Sequence, residues 1–106
     1  MESDLQRLLT AFQTGMSAWQ ARPDASQLAA LEALQRQMQQ ALRQQQISSL
    51  KQSYLTEFHR QLRLLGSDLA FLKAARQSAT QTQRLAQIGD RLQALQRYYD
   101  AMSTGE

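Results

Sequence analysis

Glu57-Phe58-His59-Arg60 brings an acid, the single histidine and an arginine together within the 106 residues. Acid–base chemistry would be sought there first. Glutamate and imidazole exchange a proton only where their side chains converge, and residues two apart on a helix point away from each other. The stretch therefore offers no local catalytic pair, and His59 reads as a surface or interface residue. Metal binding has no better footing, because there is no cysteine, no second histidine and no Glu-x-x-His spacing to align ligands on one helix face. No glycine-rich phosphate loop and no Gly-x-Ser-x-Gly elbow occurs. The expectation is a non-enzyme with no cofactor and no metal.

Arginines offer a second chemistry. Arg36 and Arg43, and again Arg84 and Arg91, stand seven residues apart and so line up along a helix, while Arg60, Arg63, Lys73 and Arg76 enrich the segment between. Rows of this kind neutralise nucleic-acid phosphates. The aromatic residues fall mostly on apolar stripes and do not interleave with these arginines as a base-stacking platform would. Contact with a nucleic-acid backbone, as a small helical subunit of a nucleoprotein complex, stays as the alternative function.

The elements that must position these residues are helices. Alanine, leucine, glutamine and arginine dominate, valine and asparagine are absent, and four glycines and one proline leave little turn chemistry for hairpins. The nineteen glutamines are interrupted by leucine, alanine and arginine at helical spacing, so they read as neutral helical surface. Leu5, Leu8, Leu9, Phe12, Met16 and Trp19 recur at three- and four-residue steps and predict a first helix over 4–21. Ser3 is placed to cap it, Gly15 marks a close contact or a soft spot, and Trp19 reads as a lid on the core. Arg22-Pro23-Asp24 ends it, since the residue before proline is pushed out of helical geometry.

A second run carries Leu28, Leu31, Leu34, Met38 and Leu42. At 100° per residue, with Leu28 at zero, this stripe centres near about 300°. If the same helix continued, Ile47, Leu50, Tyr54, Phe58, Leu62, Leu65, Leu69 and Leu72 would centre near about 100°. The displacement exceeds the drift of about 20° per heptad. A turn near Gln45 to Ser49, with Ser48 or Ser49 as a cap, resolves the conflict. The alternative is one continuous helix through 24–76 in a long dimeric hairpin. The phase is kept across Gly66-Ser67-Asp68, so the third helix is expected over 49–76, kinked at that point if anywhere. Thr80 is a plausible cap for a last helix in which Leu85, Ile88, Leu92, Leu95, Tyr99 and Met102 follow a coiled-coil-like spacing.

The predicted architecture is thus a single all-α domain over 1–106, an antiparallel four-helix bundle with helices at 4–21, 24–46, 49–76 and 80–102. Its third helix, at about 42 Å, would overhang the first, at about 27 Å. That third helix carries a second apolar face, with Leu64 and Phe71 near about 0° and 340° and Arg60 near about 320°. An arginine beside a leucine and a phenylalanine suits an interface, because a guanidinium can stack and pair at once. Tyr98, at the edge of the last helix's seam, is a lesser candidate.

The formal charge of +3 comes from twelve basic and nine acidic side chains that are interspersed without blocks. It is compatible with plain solubility. No apolar run approaches a bilayer span, the N-terminal MESDLQ lacks the basic start of a secretory peptide, and the missing cysteines fit a reducing compartment. The expected setting is the cytoplasm, away from membranes. The expected function is that of a non-catalytic adaptor, chaperone-like or regulatory protein working by helix-on-helix contacts with another protein and as a homodimer, through Arg60, Leu64, Phe71 and Tyr98.

Overall fold

The computed structural model describes residues 4–44 and 51–103. They form four helices: α1 (Asp4–Ala21), α2 (Ala25–Arg43), α3 (Gln52–Ala74) and α4 (Ser78–Ser103). Each packs on its neighbour in order, α1 on α2, α2 on α3 and α3 on α4, with α1 closing against α4. The all-α bundle read from the sequence is the fold.

The anticipated turn at Gln45 to Ser49 lies outside the described residues, as do the caps expected from Ser3, Ser48 and Ser49. The reversal of the chain is nevertheless settled by a contact across it. Gln35 Nε2 donates to Leu62 O at 3.0 Å, whereas one continuous helix would hold residues 27 apart about 40 Å from each other. The continuous rod is therefore excluded, and the displaced apolar stripe marks two helices that face one core from different sides.

That core is built from the predicted stripes. Leu5, Leu9, Phe12, Met38, Phe58, Leu62, Leu65, Ile88 and Leu95 are fully buried, and Leu31, Leu69 and Leu72 nearly so. Trp19 closes one end of it. Tyr54, assigned by its phase to the same stripe, is exposed instead. It sits in the first turn of α3, where the phenol reaches water at the bundle end while Leu55 packs against the core.

Helix ends follow local chemistry. Asp24 caps α2 in extended geometry, its carboxylate accepting from the Ser26 backbone N–H at 2.8 Å and from the Ser26 hydroxyl at 2.9 Å. These two bonds, the backbone one foremost, hold its carboxyl below the usual aspartate range. α3 stops at Ala74 because Ala75 turns to extended geometry, two residues short of the expected end. α4 begins at Ser78, where Gln81 N donates to Gln77 O at 3.0 Å. Thr80 therefore lies inside the helix and does not cap it. The expected order of lengths changes as a result: α4, with 26 residues, exceeds α3, with 23, and α3 outreaches α1 by only about 7 Å.

Two glycines let helices approach closely. A Cβ on Gly15 would stand 2.8 Å from Leu31 Cδ2, so this position is a contact between α1 and α2. On Gly66 it would stand 2.9 Å from Gln35 Nε2, and the bare backbone there makes room for the buried Gln35 amide. α3 remains helical through Gly66, Ser67 and Asp68.

Candidate functional site

The seam between α3 and α4 positions the residues singled out above. Its register is antiparallel, with Asp68 opposite Arg91, the Phe71 ring opposite Arg84, and Lys51 Nζ donating to the Met102 carbonyl at 3.1 Å. Asp68 marks the flank of α3 that faces α4. Leu64, Phe71 and Arg60 lie progressively further round, towards water.

Phe71 is 52% exposed, Leu64 half-buried and Arg60 exposed. Arg60 Nη1 donates to Glu57 Oε2 at 3.4 Å. Tyr98 is half-buried and packs against the core from α4, level in this register with the turn around Glu57. The four residues thus fall along one solvent-facing margin of the seam, the three on α3 spanning about 16 Å.

Arg84 completes that margin, and its part was not foreseen. Its guanidinium carbon lies 4.5 Å from the centroid of the Phe71 ring, a cation–π stack across the seam. Nη1 donates to Gln87 Oε1 at 3.0 Å, while Nε is buried with no acceptor. In the sequence Arg84 stood out only as one of a seven-residue pair with Arg91. Arg91 turns inward instead: Nε donates to Asp68 Oδ2 at 3.0 Å and Nη1 to Gln61 Oε1 at 3.3 Å. Arg36 and Arg43 are exposed on α2.

Asp68 and Gln35 are the buried polar residues that sequence reasoning passed over. Helical phase could have marked both. Gln35 points near about 340°, between Leu28 and Leu42 on the α2 stripe, and Asp68 near about 40°, where Leu50 would point.

His59 is exposed on α3, Glu57 is paired with Arg60, and no three histidine, cysteine or acidic side chains come together among the described residues. One open groove of about 460 Å³ runs between α1 and α2, past Asp4, Arg7, Leu8 and Ala41. Arg7 and Asp4 pair with each other at its rim. A smaller one of about 260 Å³ lies by Trp19, Leu28, Leu72 and Lys73 at the other end. No described helix is long and apolar enough to cross a membrane.

The geometry defines a four-helix bundle domain whose most distinctive surface is an arginine-flanked aromatic strip. Residues 3–98 match the family model described as CRR41 C-terminal domain, and the chain belongs to that family. No curated protein and no solved structure matches it.

Proposed function

We propose that the protein is a non-catalytic adaptor or regulatory domain, chaperone-like in using helix-on-helix contact, and that it docks another protein along the α3–α4 margin through Arg60, Leu64, Phe71 and Tyr98. The observation that carries this reading is the half-exposed Phe71 ring, the largest apolar group the described bundle leaves in water on its helix faces. Such a ring, backed by a half-buried leucine and flanked by arginines, has the composition of an interface anchor. A cytoplasmic setting belongs to the same reading, and a chain without cysteine suits it.

Self-association through this strip, the arrangement expected from the sequence, would bring together two copies of a margin on which Arg63 and Arg84 make no ion pair among the described residues. Like charges so placed weaken an interface. A different partner is favoured for that reason.

The decisive experiment is capture of the tagged protein's partner from its native cells, with Phe71→Glu as the control. The substitution should abolish capture while far-UV circular dichroism keeps its helical signal. Undiminished capture would overturn the reading.

A second reading, contact with a nucleic-acid backbone, draws support from residues 51–103, which carry eight lysines and arginines against four carboxylates, a balance of +4. Four of the eight are already engaged: Lys51 with the Met102 carbonyl, Arg60 with Glu57, Lys73 with Glu32 and Arg91 with Asp68. Phosphate binding should collapse between about 50 and 200 mM salt, whereas docking on Phe71 should change little.

A further inference from the structure

We infer that the partner segment which docks on the α3–α4 margin is an acidic amphipathic helix, its apolar face covering Phe71 and Leu64 and a carboxylate meeting Arg84. This rests on the docking reading above and adds the chemistry of the occupant.

Charge complementarity carries it. Of the four carboxylates on the α3–α4 hairpin, Asp68 is buried against Arg91, Glu57 is paired with Arg60, Asp100 accepts from Gln96 Nε2 at 2.9 Å, and Asp90 is exposed on α4. Arg63, Arg76, Arg84 and Arg97 make no ion pair among the described residues. Arg84 lies in the strip itself and Arg63 stands next to Leu64, so the strip's own margin carries a positive excess. An apolar segment rich in glutamate and aspartate meets it with opposite sign, and a basic segment is repelled.

Arg84 gives that general field a specific point. It is half-buried, with one face over the Phe71 ring, and the Gln87 amide oxygen is its one hydrogen-bond acceptor in the described structure. A guanidinium offers five N–H donors in a planar fork. One that is partly withdrawn from water and stacked on an aromatic ring is short of acceptors, and a carboxylate supplies two at the matching geometry. The same carboxylate would sit at the edge of Phe71, where the partner's apolar side chains must also arrive. The stack thus presents an apolar contact and an anion-binding group side by side.

A helix fits the strip better than an extended strand does. The margin is a pair of packed helices with its backbone hydrogen bonds closed internally, so it offers no sheet edge to extend, and helix-in-groove docking is the mode such surfaces support. Leu64 and Phe71 stand seven residues apart, about 10 Å along α3, which is two turns of a helix laid alongside.

The test is selection of helical peptides from a displayed library with unbiased surface positions, against the whole protein at 150 mM salt. Winners are then measured with the protein and with the Phe71→Glu, Arg84→Ala and Arg84→Glu variants, each checked for unchanged helicity. The expected outcome is a set of net-acidic winners that lose binding at least tenfold with Phe71→Glu and Arg84→Glu and several-fold with Arg84→Ala. Winners that depend on Phe71 but carry no acidic excess would overturn this inference and leave the docking reading standing. Absence of any Phe71-dependent winner would overturn both. Concentration-dependent dimerisation of the protein alone, abolished by Phe71→Glu, would make a second copy the occupant. Binding of random-sequence RNA or duplex DNA that falls with Arg84→Ala but not with Phe71→Ala would make the strip a phosphate contact. Either result sinks the acidic helix.

Discussion

Asp68 on α3 and Arg91 on α4 form an ion pair at 3.0 Å, with the aspartate side chain 6% exposed and the arginine 27%. The Gln61 amide oxygen takes a second guanidinium donor at 3.3 Å. A charge this withdrawn from water is tolerable only with its partner present.

Replacing one member should therefore cost more than a surface pair would. Arg91→Ala leaves the Asp68 carboxylate buried and unpaired, and should lower the unfolding free energy by about 3 kcal/mol, the lower end of the range because Arg91 keeps some contact with water. Urea denaturation followed by circular dichroism reads this directly. Exchanging both residues together, Asp68→Leu with Arg91→Met, should recover most of the loss. A double variant as unstable as Arg91→Ala would contradict the account.

Glycines 66 and 89 should respond oppositely to alanine. At Gly89 a Cβ meets nothing within 4 Å, so Gly89→Ala should stabilise the protein by about 0.5–1 kcal/mol through helix propensity and a restricted unfolded chain. At Gly66 the new methyl displaces a Gln35 amide that is buried and bonded to Leu62 O. Overpacking and the lost bond together should outweigh the propensity gain, for a net loss of about 1–2 kcal/mol. In a Gln35→Ala background, Gly66→Ala should become neutral or stabilising. Thermal melts of the four combinations give the coupling.

Two phenylalanines on one helix separate core from surface. Phe58 is fully buried and Phe71 half in water. Phe58→Ala should cost about 3–5 kcal/mol. Phe71→Ala should cost about 1 kcal/mol or less, the stack with Arg84 being most of what is lost. Equal denaturation midpoints for the two variants would show that Phe71 supports the fold.

The Asp24 cap predicts a mild acid dependence. Its carboxyl titrates below the ordinary aspartate range in the folded chain, so the unfolded chain binds its proton more readily. The stabilisation is fully present above the unfolded value and fades as pH falls through the lower folded one. Melting temperatures of the wild type and Asp24→Asn should thus converge as pH falls below about 4. A constant difference there would assign the cap's contribution to something other than its charge.

Much of the bundle is legible in the chain because burial is periodic. Leu5, Leu9, Phe12, Met16 and Trp19 keep one helical phase and are all buried, and the break in phase between Leu42 and Ile47 announced the reversal that the Gln35–Leu62 contact shows. Phase also separated Phe71 from the core of α3. What phase could not supply is the partner that makes a polar side chain acceptable inside. Gln35 depends on a missing Cβ 31 residues away, and Asp68 on an arginine 23 residues away. Arg84 escaped for the same reason. Its distance from Phe71 is set by the register of two helices, whereas spacing along one chain suggested only a row of cations.

The bare backbone at Gly66 also dictates where α2 can seat. Shifting α3 by one turn would bring Leu62 or Ala70 to that notch, and the Gln35 amide would then collide with a side chain and lose its acceptor. Asp68 and Arg91 impose the same restriction on the opposite flank. Held at one height by both neighbours, α3 works like a key cut on two edges, and the aromatic ring it carries outward arrives already aligned beneath its arginine.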